Sequence, residues 1–189
     1  WDIGLKNVSI PADLMSYKRR DTSHVDVNQR PTKEQYDKFV SIVDFGQKTG
    51  WNHKLIHAEG PFLMADPGVQ FILLRANKDL LELAHLLQLK DQMDEIESWI
   101  ARLQLGCEWL WNESIGSYCA RDIKTGVFSN ATTNASMLSF FAGAGSKEQM
   151  QSMSEHCHRI LSACNYGMPS WDPHHVEFES KRYWRGPVW

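Results

Sequence analysis

The stretch from Trp171 to Trp189 holds the residues best suited to chemistry: Trp171, Tyr183, Trp184, Arg185 and Trp189, set among Asp172, His174, His175 and Glu177, with Gly186-Pro187 near its end. Aromatic rings offer flat apolar faces, and Tyr and Trp add a polar edge. Such a mixture suits a pyranose, whose C–H faces lie on rings and whose hydroxyls need fixed polar partners. The same aromatics would also serve to plug the end of a helical core, because large rings are mostly buried in folded proteins. Composition alone leaves both readings standing.

Other reactive residue types point nowhere as sharply. Cys107, Cys119, Cys157 and Cys164 lack a CxxC spacing and read mainly as buried thiols, a usage that leans toward a reducing, cytoplasmic setting. His156 and His158 flank Cys157, and His174 adjoins His175, yet neither pair has the i, i+3 or i, i+4 spacing that puts two ligands on one helix face. We expect no metal and no cofactor. Sequons begin at Asn7, Asn112, Asn130 and Asn134, but so short a motif recurs by chance. A net charge of -3 provides no basic field for nucleic acid or an anionic membrane surface. No apolar run approaches the ~18 residues that a membrane span requires.

The elements that must position the aromatic run are helical. Thr32-Lys33-Glu34-Gln35 has the capping-box form and predicts a helix over about 33–48, ending near Gly50. Asp66 and Pro67 open a second helix whose apolar residues, Phe71 to Leu87, run almost all the way round, which predicts burial on two sides. Asp91 caps a third, with Met93, Ile96, Ile100, Leu103, Cys107 and Leu110 at steps of three and four. Residues 116–122 and 127–129 flank the Lys124-Thr125-Gly126 turn and predict a short hairpin. Helices follow near 131–142 and, after the capping box at Ser146-Lys147-Glu148-Gln149, near 147–163; from Asn165 onward the chain reads as loop. The expected class is all-α, a partial (α/α)6 barrel with a short β-hairpin insertion.

Arg182-Tyr183-Trp184-Arg185-Gly186-Pro187-Val188-Trp189 resembles the Tyr-Trp-Arg-Gly-Pro-x-Trp signature of the α/α-barrel glycosidases of family 63. That family includes processing α-glucosidases and bacterial mannosylglycerate and glucosylglycerate hydrolases, and the pattern here is closest to the latter. Asp172-Pro173, Phe178, the run over residues 61–67 and the segment around Tyr118 are also similar to it. Gly68-Val69-Gln70-Phe71 departs, where the family pattern places a large apolar residue and then asparagine.

The resemblance implies an inverting glycosidase acting on a small glucoside or mannoside such as a glycerate conjugate. Trp1-Asp2 resembles the tail of the family's Asp-Asn-Ser-Pro-x-Trp-Asp motif, and its general base is a glutamate beyond Gly-Pro-x-Trp. Residues 1–189 are then expected to be an interior part of one barrel domain, truncated at both ends, with acid and base outside it. Uncovered apolar faces would be met by the rest of the barrel or a second copy. The carry-over assigns Arg30, Tyr36 and Tyr183 to the aglycone carboxylate, and Trp1, Asp2, Trp184 and Trp189 to the surrounding substrate site. Arginine suits a carboxylate because its planar fork donates two parallel hydrogen bonds. The plainer alternatives are that Arg30 pairs with an acid such as Asp26 and that Tyr36 is core. Asp172, Glu177 and Glu179 remain candidate carboxylates, for which solvation or salt bridging is the plain role. Two other functions compete: an α-glucosidase acting on oligosaccharides, and a non-catalytic sugar-binding or scaffold fragment.

Overall fold

The computed structural model describes residues 2–188. Its helices are α1 (Asp2–Lys6), α2 (Lys33–Lys48), α3 (His53–Glu59), α4 (Pro67–Leu86), α5 (Lys90–Trp109), α6 (Asn134–Ala142) and α7 (Lys147–Ser162), with a 3-10 turn at Val27–Gln29. Four two-residue strands join them: β1 (Met64–Ala65), β2 (Trp111–Asn112), β3 (Ser117–Tyr118) and β4 (Arg121–Asp122). The architecture is the expected one, helical and part of a toroid. No helix is long and apolar enough to cross a membrane among the described residues.

Local chemistry sets the helix ends. Thr32 Oγ1 accepts from the Gln35 amide while the Gln35 side chain accepts from the Thr32 amide, so two of the orphan donors of α2 are satisfied together. Ser146 and Gln149 repeat the device on α7. Asp66 accepts from Val69 N, and Pro67 supplies the fixed φ of a first helical residue. α5 corrects the expectation at Asp91: the helix begins at Lys90, its cap position is Leu89 with no side-chain bond, and Asp91 lies in the first turn. α6 likewise starts at Asn134 rather than near 131, because residues before it belong to the extended segment that meets Trp171.

α4 packs against α5 on one flank and α6 on the other. The core between them and α7 comprises Phe71, Leu74, Cys107, Leu110, Tyr118, Ala142, Ala144 and Met153. Tyr118 is completely enclosed, with ring edges meeting Phe71 at 5.0 Å and Trp111 at 4.9 Å between centroids. Burial pushes its phenol well above the ordinary range and raises the Cys107 thiol to about 11 and the Cys119 thiol to about 12, so both cysteines are inert core thiols. The two-sided burial expected of α4 is only partly realised: Val69, Ile72, Leu73, Leu80, Leu83, Leu86 and Leu87 are exposed, because α5 and α6 cover only part of its circumference.

The expected hairpin forms, with Asp122 N donating to Val127 O and Ser129 N to Ala120 O across the turn, and its strands take further partners. Ser117–Tyr118 pairs with Trp111–Asn112, while Arg121–Asp122 pairs with Met64–Ala65 and bridges to Phe128. The Lys124-Thr125-Gly126 turn is present, held by the Asp122 carboxylate accepting from the amides of Lys124 and Thr125. The insertion therefore ties α5 to the segment that precedes α4, linking neighbouring helical units.

Candidate functional site

The aromatic loop is folded against the front of the chain by backbone bonds. Tyr183 N donates to Gln29 O, Glu179 N to Arg185 O, Ser170 N to Pro187 O and Asp172 N to Thr132 O. Gly186 lies so close to the backbone of Glu179 and Ser180 that a Cβ there would collide with it, which explains the glycine of the Gly-Pro pair. One pinned edge is electrostatic. Arg159 donates from two nitrogens to the carboxylate of buried Asp172, at 3.2 and 2.5 Å, and His174 Nδ1 sits 3.1 Å from the same group. Burial alone would raise the Asp172 pKa, but these partners outweigh it and hold the carboxyl below the ordinary value. An ionised, ion-paired Asp172 is a brace and not a proton donor.

These bonds bring the two distant ends of the chain together. Arg185 donates to Asp2 at 2.8 Å, and its guanidinium lies over the Trp171 ring, 5.7 Å from the centroid. Trp1 and Trp189, both assigned to the substrate site by resemblance, lie outside the described residues.

Arg30 and Tyr183 meet directly: the guanidinium carbon stands 4.0 Å from the centre of the phenol ring. Tyr183 in turn meets the edge of Trp184, with centroids 4.7 Å apart. The acid paired with Arg30 is Asp21, through Nε at 3.2 Å; Asp26 instead caps the 3-10 turn through Asn28 N. Among the described residues the two terminal nitrogens of Arg30 make no hydrogen bond, so the fork remains open. Tyr36 stands apart from Arg30 but is connected to it. Its ring stacks on Tyr17 at 5.4 Å and carries Arg19 at 4.5 Å, and Arg19 clasps Asp21 with two bonds of 3.0 and 2.6 Å. Tyr17 donates to Asp37, which raises its phenol to about 12.

Asp21 is the shared anion of both arginines. The Arg19 hydrogen bonds, opposed by burial and helped by Arg30, bring its pKa down to about 2. Tyr17, Arg19 and Asp21 were missed by sequence reasoning, although an Arg-x-Asp within a helix-free polar stretch, upstream of Arg30, was visible there.

Against Trp184 a cavity of about 270 Å³ opens between the N-termini of α4 and α6 and the aromatic loop. Asp66, Pro67, Thr133, Asn134, Trp171 and Trp184 are among its walls. Gly68, part of the run that departs from the family pattern, lets the two helix ends approach, since a Cβ there would stand 3.1 Å from the Ala135 methyl. Ser170 Oγ and Trp171 Nε1, in residues that line the same cavity, are buried without a hydrogen-bond partner among the described residues.

Comparison with known proteins agrees along the whole chain. The model of the mannosylglycerate hydrolase MGH1-like glycoside hydrolase domain matches residues 1–189. Mannosylglycerate hydrolase of Thermus thermophilus is 38% identical over 189 residues, which are 100% of this chain and 45% of that protein. Mannosylglycerate hydrolase MGH1 of Selaginella moellendorffii is 37% identical over the whole chain and 38% of its own length. The crystal structure of a family 63 mannosylglycerate hydrolase from Thermus thermophilus with Tris and D-glycerate superposes with a TM-score of 0.91, at 38% identity, over 100% of this chain and 45% of the other. The glucose complex of that enzyme gives 0.88 over the same shares. The chain thus spans less than half the length of these relatives.

Proposed function

This chain belongs to the family of mannosylglycerate hydrolase MGH1-like glycoside hydrolase domains, and from that membership we propose that the protein carrying it hydrolyses the bond between a hexopyranose and a small carboxylated aglycone such as glycerate. Residues 2–188 supply the binding side of this reaction. The observation that carries the reading is the Arg30 guanidinium, laid on Tyr183 and fixed through Nε, with both terminal nitrogens open among the described residues. A planar fork with two parallel donors matches a carboxylate in shape and charge.

In this reading the aglycone carboxylate lies against Arg30 and Tyr183, while Tyr36 bounds the same end through Arg19. Trp184, joined edge-on to Tyr183, leads into the cavity beside α4 and α6, where the glycosyl ring resides. Trp189 and Trp1 are assigned to the sugar side by resemblance. Asp2 acts by holding Arg185, which covers Trp171. Solved relatives binding D-glycerate and glucose are in line with the two ends of such a site. The proton donor and the base that activates water are contributed from outside this segment, with inversion at the anomeric carbon.

Arg30→Ala in the complete protein tests the reading. It should lower kcat/KM on a glyceryl-carboxylate glycoside by roughly tenfold to a hundredfold, the equivalent of one charge-assisted bond plus the penalty of an unpaired carboxylate. The loss on a neutral glycoside should be much smaller, and Arg30→Lys should recover only part, because an ammonium restores charge without the fork. Equal losses on both substrates would favour an oligosaccharide α-glucosidase instead.

A further inference from the structure

Four arginines gather where the aromatic loop meets the front of the chain, and three carboxylates answer them. Arg185 pairs with Asp2, Arg182 with Glu179, and Arg19 with Asp21. Arg30 shares Asp21 with Arg19, taking the carboxylate oxygen Oδ2 through Nε at 3.2 Å. Asp21 is partly buried, its side chain 11% exposed. Since both Oδ atoms of Asp21 already accept from Arg19, the geometry of the pair is set from one side by a bidentate clasp, and Arg30 approaches the remaining lone pairs edge-on. Arg19 is itself held over Tyr36, and Arg30 over Tyr183. A chain of contacts therefore runs from Tyr36 through Arg19, Asp21 and Arg30 to Tyr183, with one carboxylate at its centre.

We infer that Asp21 is a positioning residue for the carboxylate clamp and sets its charge preference. The inference rests on the glycerate reading above. By taking Nε, Asp21 fixes the plane in which the two terminal nitrogens of Arg30 project, so that the fork is ordered before substrate arrives and less freedom is lost on binding. By neutralising Arg19, it leaves the Arg19–Asp21–Arg30 group with a single net positive charge. That charge matches a monoanionic carboxylate. A phosphate dianion of similar size would be left undercompensated, so the clamp favours carboxylated over phosphorylated aglycones. On α2, Lys33 pairs with Asp37 and Lys38 with Glu34, so these four charges cancel in pairs; Asp26, bonded to the backbone of its own turn, keeps its negative charge but makes no bond to either arginine.

The test uses the full-length protein and two probes, D-glycerate and sn-glycerol 3-phosphate, as competitive inhibitors of glycoside hydrolysis. Asp21→Asn keeps the side-chain shape but removes the anion. Its inhibition constant for D-glycerate should rise about tenfold, the scale of one charge-assisted hydrogen bond, and its preference for glycerate over glycerol phosphate should fall at least about fivefold, as the local charge grows more positive. Asp21→Glu, which retains the charge, should keep the wild-type preference even where binding of both probes weakens. An unchanged D-glycerate constant in Asp21→Asn overturns the positioning role, and an unchanged preference overturns the charge role. Parallel weakening of both probes and of a neutral glycoside, together with a lowered melting temperature, assigns Asp21 to fold stability alone and also overturns the inference. Should Arg30→Ala leave D-glycerate inhibition at its wild-type level, the glycerate reading itself fails, separately from any result at Asp21.

Discussion

Asp21 shows how one side chain can be read through its titration. Its folded pKa of about 2 lies below the ordinary carboxylate value, so the ionised form is the one that the fold favours. The stabilisation is fully present above that ordinary value and is lost as pH falls from about 4 through 2. Urea unfolding of the full chain and of Asp21→Asn should therefore differ by about 1–3 kcal/mol near neutral pH, and the gap should close as pH is lowered into that window. A gap that stayed constant with pH would mean that Asp21 contributes shape and not charge. Gly186 makes the opposite kind of contribution, by having no side chain. Gly186→Ala should displace the loop that carries Tyr183 and Trp184, visible as weakened inhibition by both glycerate and sugar probes.

Among elements, α2 and the aromatic loop are the ones whose ends matter most for the site. The capping box of α2 follows directly on Arg30 and Pro31, and Gln35 of that box also faces Arg182 at 3.5 Å. Thr32→Ala should cost about 1 kcal/mol in chemical denaturation, the usual range for a lost N-cap, and Thr32→Ser should restore most of it. The aromatic loop lacks regular hydrogen-bonded structure, and Arg159 of α7 braces it through Asp172. Asp172→Asn should lower stability by about 1–3 kcal/mol, because a buried hydrogen-bonded charge is removed while its partners stay. Limited proteolysis after such a change should cut first within residues 165–188. Cutting elsewhere would argue that the backbone bonds to Thr132 and Gln29 suffice to hold the loop.

At the scale of the molecule, the exposed apolar residues of α4 are the prominent feature. Val69, Ile72, Leu73, Leu80, Leu83, Leu86 and Leu87 form a band that water meets directly among the described residues. Contiguous apolar surface beyond a few hundred Å² favours association. The 189-residue segment expressed by itself should therefore self-associate in sedimentation velocity and bind a hydrophobic dye, and Leu83→Glu with Leu87→Glu should reduce both effects. A monomeric, dye-silent segment would show that this face needs no cover.

Much of this was already written in the chain. Cap residues and apolar spacing act within a few bonds of one another, so α2, α4 and α7 could be read with their starts at Thr32, Asp66 and Ser146, and the Arg-Tyr-Trp-Arg-Gly-Pro run marked the candidate loop. Where local signals compete, tertiary structure decided. Asp91 is a good cap residue, yet α5 starts before it; the hairpin strands look self-sufficient, yet one pairs with β1 far back in sequence. α1 and α3 are too short to leave a periodic pattern. The site itself is the clearest case. Sequence named Arg30 and Tyr183 as companions by resemblance, but pairing across so many residues depends on loop closure that no local rule encodes. Only the folded chain chose Asp21 over Asp26 as the acid for Arg30, because Asp26 spends its carboxylate on its own turn while Arg19 holds Asp21 within reach.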